Sequence, residues 1–278
     1  MDSDDVIDGS IPPEYATCSY PLLRAAADGR ADLVSHFLAN GSLVNTSNFD
    51  AVTPLHDACF IGATTCVKIL IDAGAKVNAR NIDGSTPLCE ASSNGQLDCV
   101  KYLIEHGAEL NPLFCYTTPL HEAVLRGNTE CAQFLVSMGS NLDATDLHFG
   151  TPLHVATYKD NIKCSEQLLR AGANVNAAKN HWTPLHNAAQ NRNPQMLELL
   201  ITYGADIYKR NNQGGCAKDM VPKTSQCHGL IQYVEDNPSS LKHHCRLIIR
   251  GYLGPHRLVD VYTLGLPVTL ADFVLFKH

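Results

Sequence analysis

The stretch Thr151-Pro152-Leu153-His154-Val155-Ala156, closed at position 172 by a glycine, decides the fold because it recurs. Its copies are Thr53-Pro54-Leu55-His56, Thr86-Pro87-Leu88-Cys89, Thr118-Pro119-Leu120-His121 and Thr183-Pro184-Leu185-His186, so the five starts are spaced 33, 32, 33 and 32 residues apart. A blurred copy, Tyr20-Pro21-Leu22-Leu23, precedes the first by 33 residues. Gly41, Gly74, Gly107, Gly139, Gly172 and Gly204 each follow their block's first residue by 21 positions. The two one-residue deletions therefore fall outside that constant segment, between Asn111 and Thr118 and between Asn176 and Thr183. A fixed period of this size means stacked supersecondary units, each burying its neighbour's apolar face.

Elementary chemistry says what each unit is. Threonine is a good helix N-cap, and proline at the first helical position gives up only an N–H that had no partner. Glycine at the far end suits a left-handed C-cap. Small residues between them (Ala25, Ala58, Ala91, Ala123, Ala156, Ala188) let helices approach closely, and aliphatic pairs such as Leu103/Ile104 and Leu168/Leu169 furnish a second helix's buried face. Gly29, Gly62, Gly95 and Gly127 fall where the two helices would join, with Asp160 and Arg192 in that slot in repeats five and six. The constant segment is thus a helix pair and the variable remainder an exposed loop. The pattern resembles the ankyrin repeat, with six copies from about Tyr20 to Asn212 and a truncated seventh at Gly214–Met220. The resemblance implies an all-α solenoid with finger loops.

Composition excludes several other classes. The chain has 278 residues, 45% of them hydrophobic and 18% charged, enough to bury a sizeable core. No apolar run approaches membrane-spanning length, and the start, with Asp2, Asp4, Asp5 and Asp8, lacks the pattern of a secretory signal. The expected setting is the cytoplasm, or the nucleus. A net charge of −7 with no basic run argues against nucleic acid as a partner.

Thirteen histidines and eleven cysteines invite a metal or nucleophile hypothesis, and the register answers it. His56, His121, His154 and His186 share one repeat position, so they stand a repeat apart and cannot converge on one ion; the resemblance gives this histidine a hydrogen-bonding part at the helix start. Cys66, Cys99, Cys131 and Cys164 follow the period too, in a slot that Leu33 and Met196 fill elsewhere, which is the behaviour of a small hydrophobe. A thiol enzyme would need a cysteine outside the register, such as Cys115, Cys216 or Cys227. The Asn40-Gly41-Ser42 and Asn45-Thr46-Ser47 sequons are read as chance matches. No phosphate loop, dinucleotide fingerprint or nucleophile elbow occurs, so neither a cofactor nor a catalytic constellation is expected.

After about Met220 the period stops. The division expected is an acidic arm over 1–17, repeats over 18–220, a connecting segment over 221–237 and a separate module over 238–278. In that last module Ser239 or Ser240 caps a helix with Leu241, Cys245, Ile248 and Ile249 on one stripe, and two short helices follow, around Leu258, Val261 and Tyr262 and around Leu270, Phe273 and Val274. Lys242, Arg246, Arg250, Arg257 and Lys277 against Asp260 and Asp272 leave it at +3, so the rest of the chain carries −10. Leu241, Cys245 and Ile249, continued by Arg246, Arg250, Leu253, Gly254, Arg257 and Leu258, resemble the SOCS box. With the repeats, the chain resembles the ankyrin repeat and SOCS box family. That resemblance implies the substrate-recognition subunit of a ubiquitin ligase built on elongin C, elongin B, cullin-5 and a RING protein, non-catalytic in itself. It gives Leu241, Cys245 and Ile249 to elongin C and the segment Leu264, Leu266 and Pro267 to the cullin. The family's Leu-Pro-apolar-Pro reads here Leu264-Gly265-Leu266-Pro267, which keeps open a second reading: a scaffold or inhibitor that binds a partner without ubiquitylation.

Ankyrin modules usually bind protein through finger loops and the first helix of each pair. Those positions hold Phe49, Val52 and Ile82 on early loops and Phe60, Ile61, Leu125, Arg126 and Lys159 on helices. They also hold a concentration in repeats four to six: Phe114, Tyr116, Phe149, Tyr158 and Trp182. Aromatic residues anchor interfaces, so these five are the expected substrate contacts. Truncating Phe149 and Trp182 is expected to weaken capture with little change in thermal stability.

Overall fold

Threonine starts the first helix of repeats two to six, in extended backbone immediately before proline, as the repeat block predicts, and Tyr20 takes that place in repeat one. The computed structural model describes residues 12–113, 116–237, 240–259 and 261–276. They fall in two units, one ending at Glu109 and one running from Leu110. The first unit holds a single turn α1 (Pro13–Ala16) and the pairs α2 (Pro21–Ala27) with α3 (Ala31–Ala39), α4 (Pro54–Ile61) with α5 (Thr64–Asp72), and α6 (Pro87–Ser93) with α7 (Leu97–Glu105). The second unit holds α8 (Pro119–Arg126) with α9 (Thr129–Ser137), α10 (Pro152–Tyr158) with α11 (Ile162–Ala171), and α12 (Pro184–Asn191) with α13 (Pro194–Thr202). A 3-10 turn at Ala217–Met220 follows, then α14 (Gln226–Asp236), α15 (Leu241–Val259), a second 3-10 turn at Val261–Leu264, and α16 (Val268–Val274). No described helix is long and apolar enough to cross a membrane.

The register histidines complete the caps. Nδ1 of His56 accepts the Thr53 backbone N–H at 3.2 Å and lies 2.9 Å from the Thr53 hydroxyl, while Nε2 reaches the Ser85 carbonyl at 3.1 Å. A carbonyl only accepts, so Nε2 carries the proton and Nδ1 is left to accept. His121 reaches the Gly150 carbonyl at 2.8 Å and His154 the Trp182 carbonyl at 3.1 Å in the same way. Each of these rings ties its own helix start to the following loop, and burial, which pushes all four register histidines below their usual pKa, keeps them neutral.

A second tie follows the same period and was not singled out in the sequence. Asn45, Asn78 and Asn176 donate from Nδ2 to the Gly74, Gly107 and Gly204 carbonyls at 3.2, 3.0 and 2.9 Å. Their Oδ1 atoms take the amides of Lys76, Glu109 and Asp206 at 2.8, 2.9 and 2.8 Å. The regular spacing of these asparagines is the signal that identifies them.

Packing follows the pattern. Leu55, Leu70, Leu88 and Leu103 are fully buried in the first unit, and Leu120, Leu135, Leu153, Leu168 and Leu185 in the second, each contributing about 1.5–3 kcal/mol by burial. Cys66, Cys99, Cys131 and Cys164 lie among them. Burial pushes the Cys66 and Cys99 thiols up and the Cys164 thiol to about 11, so these groups stay protonated. Asp160 and Arg192, in the slot held elsewhere by glycine, keep the left-handed turn with φ of 58° and 56°. A side chain there strains the backbone by roughly 1 kcal/mol.

Beyond the repeats, the segment expected to be a connection forms α14, capped where Ser225 Oγ accepts the His228 amide at 3.2 Å and anchored by buried Cys227 and Ile231. Helix α15 begins on a cap from Ser240, whose hydroxyl accepts the His243 amide at 3.3 Å; Ser239 lies outside the described residues. It breaks at Gly254, with φ 68° and ψ 171°, just before Pro255. Leu258, Val261, Ala271 and Val274 form a small core of their own, against which Ile249, Leu253, Leu266, Phe273 and Leu275 pack.

Candidate protein-binding sites

Loop length decides how the aromatic residues of the second unit are displayed. Where the loop has its full length, an Asn or Asp organises it: Asp146 Oδ1 accepts the Phe149 and Gly150 amides, both at 2.6 Å, and Asn48, Asn81 and Asn211 accept equivalent amides in the other full-length loops. Where one residue is deleted before Thr183, Lys179 and Trp182 exchange backbone hydrogen bonds of 2.9 Å across Asn180 and His181, both in the left-handed region. That is a two-residue hairpin of the type favoured by positive φ at both central positions, and it presents Trp182 toward Phe149. The other shortened loop carries Phe114 and Cys115, which lie outside the described residues.

Phe149 and Tyr158 pack with ring centroids 5.0 Å apart. With Trp182, His148, Asn187 and Gln190 they line an open notch of about 440 Å³. Tyr158 and Tyr116 are half exposed. Trp182 is not a free anchor. Its indole N–H donates to Asn187 Oδ1 at 2.6 Å, and the buried Asn187 amide donates in turn to the His154 carbonyl at 3.1 Å and the Thr157 hydroxyl at 3.2 Å. The expectation that its truncation would spare stability is therefore corrected: removing the indole leaves a buried acceptor unpaired, at a cost of about 1–3 kcal/mol. Lys179 is engaged too, donating to the Asp146 carbonyl at 2.9 Å. Neither the Phe149 nor the Tyr158 side chain takes part in that network, so either can be truncated without opening it.

The C-terminal module is seated on repeats five and six by one buried arginine. Arg250 donates to the Leu169 carbonyl at 2.6 Å, the Arg170 carbonyl at 3.1 Å and the Val274 carbonyl at 2.8 Å. The first two are carbonyls from the last turn of α11, and that of Leu169 also takes the Gly172 amide at 3.1 Å. Burial lowers the Arg250 pKa, and the Tyr203 and Phe276 rings lie 5.3 and 5.2 Å from its guanidinium carbon. Arg246 stands 4.4 and 4.3 Å from the Phe273 and Phe276 rings, a contact within the module.

What α15 leaves outward is the candidate handle. Cys245 is exposed, Ile248 is 58% exposed and Tyr252 is 87% exposed. Ile249 is half-buried against the module's core. The sequence places Leu241, Cys245, Ile248 and Ile249 on one stripe, but steps of four drift about 40° each around a helix, and Ile249 is turned toward the core. Tyr252 lies about 20° from the line of Cys245 and Ile248 about 60° from it on the side away from Ile249. Leu241 is the first residue of the helix, and its side chain lies outside the described residues. In the cullin segment Leu264 is partly exposed, Pro267 is exposed and Leu266 packs inward. Gly265 has φ 69°, a conformation closed to proline.

The thiols outside the register offer no activated nucleophile among the described residues. Cys227 is buried and pushed up by that burial, and the Cys216 thiol donates to Asp219 at 3.1 Å. Among those residues no group of His, Cys, Asp and Glu is arranged to hold a metal ion.

Comparison with known proteins agrees with this division. The family model for ankyrin repeats matches residues 22–113, 79–146 and 120–211, and that for the SOCS box matches residues 237–275. The chain is similar to ankyrin repeat and SOCS box protein 13 of Mus musculus, 50% identical over 137 residues that make up 49% of each chain. It is 40% identical over 98 residues to ankyrin repeat and SOCS box protein 5 of Homo sapiens, covering 35% of this chain and 30% of that protein. The matches thus span about half the length of these relatives or less. The crystal structure of the human ASB11 ankyrin repeat domain superposes with a TM-score of 0.73 at 37% identity, covering 79% of this chain and 99% of that one.

Proposed function

The chain belongs to the ankyrin repeat and SOCS box family, and on that premise we propose that it is the substrate-recognition subunit of an elongin B/C–cullin-5 RING ubiquitin ligase. The observation that carries this reading is the C-terminal module itself. It is seated on the repeats through Arg250 while Cys245, Ile248 and Tyr252 stay outward on α15. A handle held at a set angle to a binding surface is what an adaptor needs. Its contribution to ubiquitin transfer is proximity and orientation, and bond-making belongs to other subunits. In this reading elongin C meets Leu241, Cys245 and the neighbouring Ile248 and Tyr252, and the target protein meets the notch of Phe149, Tyr158 and Trp182, in the cytoplasm.

The test is a pull-down of elongins B and C from co-expression with the full chain. A Leu241→Ala/Cys245→Ala variant is expected to lose elongin recovery by about tenfold or more while keeping its melting temperature, as hot-spot truncation does. Full recovery with that variant overturns the handle. Tyr158→Ala is expected to lower target recovery and leave elongin recovery unchanged.

One observation favours a second reading. Gly265, with φ 69°, gives the cullin segment a turn that Leu-Pro-apolar-Pro cannot adopt. A chain that recovers elongins and a target but no cullin-5 would be a scaffold that holds its partner without ubiquitylation.

A further inference from the structure

Along one flank of α15 the helix does not close onto the repeats, and two hollows open there. One, of about 560 Å³, is lined by Ala205, Ile207 and Tyr208 after α13, by Val234 of α14 and by Leu247 of α15. The exposed Asp206, Asn237 and His244 complete its lining. The other, of about 430 Å³, is lined by Ala173 and Val175 after α11 and by Gly251, Pro255 and Leu258 of α15. Both include Gly204 and Leu247, so the two form one trough.

The residues on each side account for the opening. A Cβ added at Gly251 would meet nothing within 4 Å, so α15 leaves its half of the trough bare. Gly172 and Gly204, in left-handed turns, receive Leu258 and Leu247 and set the spacing on the other side. At the wider end Ile207 is buried, Val234 and Leu247 are half-buried and Tyr208 is 66% exposed.

The trough borders the outward stripe of α15. Ile248 stands about 60° from Cys245, and His244 and Gly251 stand roughly 40° and 60° further the same way, where the trough begins. The stripe alone is small. A tyrosine buries about 150–250 Å², so Tyr252 with Ile248 and Cys245 falls short of the roughly 800 Å² that each side of a stable complex covers. A partner seated on the stripe must therefore spread sideways. On the flank of Ile249 it meets the module's own core, whereas the flank of His244 and Gly251 offers open apolar surface.

We propose that the protein which takes the α15 stripe also sets aliphatic side chains into this trough, so that α14 and the chain after α13 belong to its interface. The proposal rests on the reading of α15 as the elongin handle and carries that interface beyond the C-terminal module onto the last repeat. The partner then helps Arg250 to fix the angle between the module and the repeats.

The test is biolayer interferometry of the full chain with purified elongin B/C, together with hydrogen exchange of the same complex. Tyr208→Ala/Val234→Ala is expected to weaken binding about tenfold. Tyr233→Ala removes an equally exposed tyrosine (67%) of α14 that does not line the trough, and is expected to change binding less than about twofold. Gly251→Phe fills the trough from α15 and is expected to weaken binding about tenfold. The melting temperature of the unbound Gly251→Phe chain is expected to be no lower, since glycine is the poorer helix former. Bound elongins are expected to slow exchange at 204–208 and in the last turn of α14. Equal effects of Tyr208→Ala/Val234→Ala and Tyr233→Ala, indifference to Gly251→Phe, or unchanged exchange at 204–208 would overturn the trough and leave the handle standing, as long as the parent chain binds elongins. Failure of the parent chain to bind them would overturn both.

Discussion

Gly74 and Gly172 close the same helix pair of two different repeats, at φ of 88° and 100°, and have opposite surroundings. A Cβ added at Gly74 would meet nothing within 4 Å. At Gly172 it would stand 2.7 Å from Leu258 Cδ1 and 3.0 Å from the Pro255 Cα, and at Gly204 2.8 Å from Leu247 Cδ1. In the first unit the C-cap glycine serves its own helix. In repeats five and six it also receives the C-terminal module, and the same residue then carries two constraints. A sequence repeat therefore records what every unit shares, and says nothing of what one unit alone is asked to receive.

The comparison breaks first at the arginine that holds the module down. Arg250→Ala removes a charged donor from the carbonyls of Leu169, Arg170 and Val274, of which Leu169 keeps the Gly172 amide, and is expected to cost about 3 kcal/mol. The loss reads out as a lower denaturant midpoint and as faster proteolysis between α14 and α15. Arg24→Ala, which removes an exposed pair in the first unit, is expected to change stability by less than about 0.5 kcal/mol. Similar effects from the two would dissolve the contrast.

The glycines come next. Gly74→Ala is expected to cost about 1 kcal/mol, the strain of a left-handed backbone. Gly172→Ala adds a collision with the Pro255 backbone and is expected to cost about 2–3 kcal/mol and to shift α15 protection in hydrogen exchange. If the two substitutions cost the same, the module does not rest on repeat five.

The smallest effect sharpens the electrostatic side. Asp57 ionises at about 6 in the folded chain against an ordinary 3.8. Its contribution to stability is full below 3.8 and lost as pH rises through 6. Asp57→Asn is therefore expected to stabilise by about 1 kcal/mol at pH 7, after allowance for solvent screening, and by nothing below pH 3.8. Thermal melts of the variant against the parent chain at each pH isolate this from the register histidines.

The periodic features were open to sequence reading because each serves one repeat at a time. Thr-Pro caps, glycine ends and leucine stripes answer to local backbone chemistry, and the cysteines at the period are packing groups for the same reason. The asparagine ties were equally legible, since their period is the repeat's own. The site was legible only in composition. Which loops gather aromatic residues could be read from position, but the anchoring of Trp182 by Asn187 depends on a side chain one helix further on. Likewise Leu241, Cys245, Ile248 and Ile249 form one stripe by sequence, and the core beneath α15 draws Ile249 to its own side.

By itself the sequence determined the repeat architecture and the number of helix pairs, because caps, turns and apolar periods act over a few residues. Only the tertiary structure decided how that module sits, which face of α15 stays outward and which polar groups are spent in holding aromatic side chains still. Those outcomes hang on contacts such as Arg250 with Leu169, 81 residues apart in the chain, and no local propensity encodes a partner at that distance.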